Sequence, residues 1–153
     1  MQAEATFDIE KIRQDFPILS TQPHGKPLVY MDNGASAQKP KQVIDAISNF
    51  YAYGYANIHR GVHSLSQDAT EAHDSARKRV AQFLNAPNAD EVIFVKGATE
   101  GFNLVASCYA MQHVEKGDNI VISEMEHHAN IVPWQFVTEA KEAELRVVPI
   151  DDH

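Results

Sequence analysis

Cysteine is almost missing from this chain: Cys108 is the one thiol in 153 residues. An intrachain disulfide framework is therefore excluded, as is a cysteine-rich zinc site, and a reducing compartment, with the cytoplasm as the default, is expected. No apolar run approaches the roughly 18 residues that a membrane span needs. Where a signal peptide would place basic and then apolar residues, the chain has Glu4, Asp8 and Glu10, so the amino terminus reads as mature. Positive charge is short too: 13 Lys and Arg against 21 Asp and Glu give a formal net charge of -8. General affinity for nucleic acid or anionic lipid depends on clustered Lys and Arg, so neither is an expected partner. Internal repeats and low-complexity stretches are also absent.

What is present is enough for one packed domain, since 44% of the residues are apolar. A short helix is expected over Phe7–Phe16, capped by Asp8 and ended by Pro17, with Ile9, Ile12 and Phe16 on one face. A turn at Gln22–Pro27, a strand at Leu28–Asp32 and a small-residue loop at Asn33–Ala37 lead to a helix from Lys41 to Tyr53. After an aperiodic stretch from Tyr55 to Leu65 comes a long helix, Ser66–Leu84, whose apolar side is Ala69, Ala72, Ala76, Val80 and Phe83. Residues 91–150 then alternate strand (Val92–Val95), helix (Thr99–Met111), strand (Ile120–Ser123), helix (Ile131–Glu142) and strand (Leu145–Ile150). This βαβαβ order predicts an α/β fold with a parallel-rich sheet.

Three clusters carry chemistry. Glu124-Met125-Glu126-His127-His128-Ala129-Asn130 lies where a strand gives way to a helix, the kind of crossing at which α/β proteins hold cofactors. Two adjacent histidines alone read as one capping and one exposed residue. A metal site on Glu124, Glu126, His127 and His128 ranks lower, because His-Glu-x-x-His spacing is absent and neighbours in a loop diverge. Gly97-Ala98-Thr99-Glu100-Gly101 opens a helix at the preceding crossing. Its backbone N–H groups and the Thr99 hydroxyl suit a phosphate, although it matches neither the triphosphate nor the dinucleotide fingerprint. By itself it reads as a glycine turn with a threonine N-cap. In a parallel sheet both crossings emerge on one edge, so a phosphate at Thr99 and a planar ring against His127 or His128 together describe a phosphorylated aromatic cofactor, a description pyridoxal phosphate fits. The third cluster, Asn57-Ile58-His59-Arg60-Gly61-Val62-His63, has His-x-x-x-His spacing, but Gly61 and the missing apolar period make it a loop and weaken a metal reading. Arg60 suits a carboxylate or phosphate.

Four blocks in order, Tyr30–Pro40, Asn57–His63, Phe94–Ala106 and Glu124–Gln135, resemble the cysteine desulfurases, most closely the sulfur-mobilisation (SUF, group II) type within the class V aminotransferase family. The resemblance implies a pyridoxal-phosphate enzyme of fold-type I, a homodimer, and release of sulfur from L-cysteine as a persulfide with alanine as co-product. It also implies a sulfur-acceptor protein serving iron-sulfur cluster assembly. Carried over by residue, His127 resembles the catalytic histidine that stacks on the pyridine ring, and Ala98 and Thr99 occupy the phosphate-binding turn, Ala98 where relatives often have a second threonine. His59 and Arg60 resemble residues bordering the active-site entrance. No metal is expected.

Family members are several hundred residues long. Their Schiff-base lysine, cysteine nucleophile and carboxylate-holding arginine have no counterpart in the matched blocks. Cys108, with Leu104, Val105 and Met111 on an apolar helical face, is expected to be a buried structural thiol. On this reading residues 1–27 are an arm and helix, and residues 28–153 an incomplete cofactor-binding large domain, unstable in isolation. The alternatives are a non-catalytic truncated or split chain needing a complementary segment, and a related selenocysteine lyase or cysteine sulfinate desulfinase.

Overall fold

The computed structural model describes residues 7–151; residues 1–6, Glu4 among them, and 152–153 lie outside the described residues. The chain divides into two compact units, one up to Ala89 and one from Asp90, taken in turn.

The first unit opens with α1 (Ile9–Gln14), whose start is fixed by Asp8: its carboxylate accepts from the Lys11 backbone N–H at 3.0 Å, satisfying one of the donors a helix start leaves open. Short 3-10 turns at Pro17–Ser20 and Pro23–Gly25 follow. The backbone carbonyl and carboxylate of Asp15 then accept from Lys41 N and Gln42 Nε2, tying α1 to the start of α2 (Lys41–Asn49). The expected strand Leu28–Asp32 does not form. Leu28 and Tyr30 are half-buried while Val29 and Met31 are exposed, so the alternation of a strand survives. What is missing is a ladder, for which a single backbone bond from Leu28 to Thr21 does not suffice. The Tyr30 hydroxyl donates to the Ser36 carbonyl at 2.7 Å and closes the small-residue loop.

α2 runs into a π-helical turn, Phe50–Gly54, and α3 spans Ser64–Phe83. The apolar side of α3 is only partly the one expected, at Ala69 and Val80. Ser66, Ala69 and Ala81 are buried, His73, Asp74, Arg77 and Val80 are half-buried, and Ala72, Ala76 and Phe83 are exposed. The protected face is turned toward the loop before the helix, where the Ser66 hydroxyl, 1% exposed with its residue, donates to the Asn57 carbonyl at 2.6 Å and accepts from Gly61 N–H at 3.1 Å. Polar packing, invisible to a hydrophobic count, chose the phase.

In the second unit the sheet has two parallel strands, β1 (Asn119–Ser123) and β2 (Glu144–Val148), paired from Asn119 with Glu144 to Ser123 with Val148. The helical stretch before β1 is α4 (Ala98–Val105), a π-helical segment Ala106–Ala110, and α5 (Met111–His113). α6 (Val132–Lys141) crosses between the strands. Ala106, Ala110 and Val137 form the core, with Val114, Ile120 and Trp134 packed on it. The third expected strand, Val92–Val95, carries no ladder, and Ile93 and Val95 are exposed. A parallel sheet ordinarily has both faces covered; here Val121, Val147 and Val148 are open to solvent.

Cys108 is exposed, contrary to expectation. The π-helical segment changes the angular step, and the small residues Ala106 and Ala110, four apart, take the buried line against Val137, leaving Cys108 between them on the open side.

Candidate functional site

Gly97 caps α4 with extended backbone, which makes Ala98 and Thr99 the first two helical residues; Thr99 is thus inside the helix and not its cap. The N–H groups of a first turn have no intrahelical acceptor, and the helix dipole adds positive potential there. Glu100, the one acid of this turn, folds back so that its carboxylate accepts from the Lys96 N–H at 2.6 Å. Among the described residues the Thr99 hydroxyl makes no hydrogen bond, and Ala98 and Thr99 are exposed. A Cβ built on Gly97 meets nothing within 4 Å, so the approach to the turn is open.

β1 ends at Ser123, and the chain descends through Glu124–Glu126 to a 3-10 turn, His128–Asn130. His127 is the cap of that turn: its Nδ1 accepts from the Ala129 N–H at 3.1 Å. This bond fixes the ring and, in the neutral imidazole, leaves the proton on Nε2. The His128 ring is nearly perpendicular to it, 6.1 Å away, so the two do not stack in parallel. α4 packs against this same turn. The helix start at Ala98 and Thr99 and the fixed, exposed imidazole of His127 thus belong to neighbouring elements.

The loop is braced by residues that the sequence reading passed over or read differently. Both oxygens of Glu126 are occupied, one accepting from Ser123 Oγ at 2.8 Å and the other from Asn130 Nδ2 at 2.7 Å; Asn130 Oδ1 accepts from Trp134 Nε1 at 2.8 Å. Strand end, turn and helix are joined through one carboxylate and one amide. The legible signal was the spacing of four from Glu126 to Asn130 and from Asn130 to Trp134, which places each pair on one side of a helical turn. These bonds, Asn130 first and Ser123 second, hold the Glu126 carboxyl below its usual value of 4.5. A group with a lowered folded value contributes its stabilisation above the unfolded value and loses it as pH falls through the folded one. The Asn130 side-chain amide resonances are expected to hold their positions from neutrality down to about pH 5 and to move only below the usual carboxylate range. A transition centred at or above 4.5, or one that persists in Glu126→Gln, would contradict this assignment.

His59 and Arg60 lie in the first unit, in the loop before α3. His59 has a left-handed backbone (φ 61°) and its N–H donates to Thr70 Oγ1 at 3.0 Å. Arg60 is exposed and, among the described residues, makes no ion pair. His63 caps α3, its Nδ1 accepting from Ser66 N–H, which commits that nitrogen to the helix start. Gly61 is required by packing: a Cβ there would come within 2.5 Å of Ser66 Cβ and Oγ.

Comparison with known proteins bears on both units. The sequence model of the aminotransferase class-V family matches residues 29–153. A cysteine desulfurase of Salmonella newport is 58% identical over 145 residues, which is 95% of this chain and 36% of that protein. Among solved structures, a cysteine desulfurase from Escherichia coli superposes with a TM-score of 0.77 at 37% identity, covering 95% of this chain and 35% of its own. The apo cysteine desulfurase of Thermococcus onnurineus gives 0.82 at 36% identity, covering 94% and 34%. The chain thus spans about a third of the length of the relatives it matches.

Proposed function

The chain belongs to the class V aminotransferase family, and from that membership we propose that it is the amino-terminal portion of a pyridoxal-phosphate-dependent cysteine desulfurase. The reaction is conversion of L-cysteine to L-alanine with sulfur retained as an enzyme-bound persulfide, of the SUF type. The packing of α4 against the turn capped by His127 is the observation that carries this reading, because it brings an anion-favouring helix start and a fixed aromatic base to neighbouring positions.

The residues present fit the cofactor. Ala98 and Thr99 offer first-turn N–H groups and a hydroxyl for the phosphate, with Ala98 contributing backbone only. His127 offers a ring whose orientation is set by Ala129. Pyridoxal phosphate, when bound, supplies an electron sink that weakens bonds at the substrate's α-carbon. The chain's own part is to hold and orient the ring, and to present and deliver a proton at His127 Nε2, the nitrogen not committed to the backbone. Glu126 and Asn130 position this imidazole. By the family resemblance alone, His59 and Arg60 are assigned to the border of the active-site entrance.

Residues 28–153 are part of the cofactor-binding domain, preceded by an arm and helix in 1–27. The working enzyme is a cytoplasmic homodimer that passes sulfur to an acceptor protein. Among the described residues no helix is long and apolar enough to cross a membrane. The supporting test is a chimera joining residues 1–153 to the remaining length of a cysteine desulfurase that is 58% identical. It is expected to release sulfide from L-cysteine under reducing conditions with equimolar alanine. A folded, cofactor-loaded chimera that turns over selenocysteine or cysteine sulfinate and leaves cysteine untouched would overturn the substrate assignment.

A further inference from the structure

The half-buried face of α3 carries a polar cluster in which His73 and Asp74 have no part in the cofactor reading and His59 enters it only as a residue bordering the entrance. His59 Nε2 stands 3.7 Å from Asp74 Oδ1, and His73 Nδ1 stands 3.2 Å from the same oxygen. The three ligating atoms all lie within 4.8 Å of one another. The imidazoles of His59 and His73 are near-perpendicular at 5.6 Å, so neither blocks the other's nitrogen by stacking. We propose that His59, His73 and Asp74 form a binding site for a divalent transition-metal ion of the zinc type.

Two imidazoles and one carboxylate are a donor set of borderline hardness, suited to zinc, cobalt or nickel more than to calcium or magnesium. With metal–ligand bonds near 2.0 Å, the ligand atoms of a tetrahedral site lie about 3.3 Å apart, so two of the observed separations are already close to that edge. Three protein ligands leave a fourth position open, and the open side faces a cleft of about 520 Å³ lined by Gly61, Thr70, Glu71 and Lys78.

The loop is built to hold His59 where it is. Its left-handed backbone, a conformation that costs energy in a non-glycine residue, is held by the Thr70 hydroxyl, and Gly61 lies flat against Ser66. Thr70, His73 and Asp74 follow at helical spacing on α3, so one helix face both pins the loop and supplies two of the ligands. Arg77 opposes a nearby cation, but its Nε donates to the Ala89 carbonyl at 2.8 Å. The His59-x-x-x-His63 spacing suits two ligands only on a helix, which Gly61 interrupts; the partners of His59 are instead across the loop, on α3.

The site does not depend on the cofactor assignment, and its test does not involve activity. The full chain, titrated with Co2+, is expected to bind one ion with the intense visible bands of four-coordinate cobalt, displaced by Zn2+. His73→Ala, which favours the helix, and His59→Asn, which tolerates the left-handed backbone, are each expected to weaken binding by at least about tenfold, with helical circular dichroism retained. His113→Ala is expected to bind as the parent does. No saturable one-to-one binding, or an affinity equal to the parent's in both ligand variants, would overturn the proposal.

Discussion

Replacing His127 by alanine in the chimera is expected to lower the rate of sulfide release by about 10²- to 10⁴-fold, the usual contribution of a positioned acid-base group. Two separable functions stand behind this number. The ring offers a flat apolar surface, and Nε2 offers a proton site whose identity is fixed by the Ala129 N–H at Nδ1. His127→Phe keeps the first and removes the second, so it is expected to retain cofactor while losing turnover to a similar degree. A His127→Phe chimera with near-normal turnover would reduce His127 to a ring support, and loss of cofactor from both variants alike would leave the proton role without backing.

The second large effect concerns stability. Val137 is 2% exposed and sits between α6 and the Ala106–Ala110 line; its burial contributes about 1.5–3 kcal/mol. Val137→Asp removes that contribution and places a carboxyl where no donor awaits it, for a total cost of about 3 kcal/mol or more. Natural domains hold only about 0.05–0.15 kcal/mol per residue. With a core of three small or medium side chains, the unit from Asp90 onward is expected to lose cooperative unfolding. Phe136→Asp, one residue earlier on the same helix at a position 67% exposed, is expected to change stability by less than about 0.5 kcal/mol. Equal effects of the two, read by chemical denaturation, would show that the packing of α6 is assigned to the wrong face.

The contrast between Phe136 and Val137 illustrates what the sequence could and could not say. Helix positions were legible wherever a cap or a breaker marked them: Asp8 starts α1, and α6 ends close to where its apolar spacing does. Helix faces were less so. In α3 the buried line follows Ser66, a hydroxyl bonded to the loop; a count of apolar residues found Ala69 and Val80 on it but added Ala72, Ala76 and Phe83, which are exposed. The π-helical segment Ala106–Ala110 changes the residues-per-turn in mid-helix and moved Cys108 to the surface. Strands at Leu28–Asp32 and Val92–Val95 have the right composition, but a strand is completed by a neighbour, which composition does not supply.

The candidate site divides in the same way. His127 and the Gly97–Thr99 turn were legible because each sits at a junction of elements, and junctions leave a mark in the pattern. Glu126, Asn130 and Trp134 left only their spacing of four as a signal, because their importance lies in a chain of side-chain bonds. His73 was hidden for a simpler reason: a histidine on a charged helix face looks like any solvated residue until the His59 loop folds over it.

Whether residues 97–101 and His127 form the phosphate- and ring-facing half of a pyridoxal-phosphate site is decided by nuclear magnetic resonance titration with pyridoxine 5′-phosphate. That compound has the ring and the phosphate but no aldehyde, so it cannot couple to surface lysines. The predicted result is saturable shifts at the Ala98 and Thr99 amides and at the His127 ring, with the amide shifts lost when pyridoxine without phosphate is used. Saturable binding that leaves residues 97–101 and His127 unmoved would contradict the account.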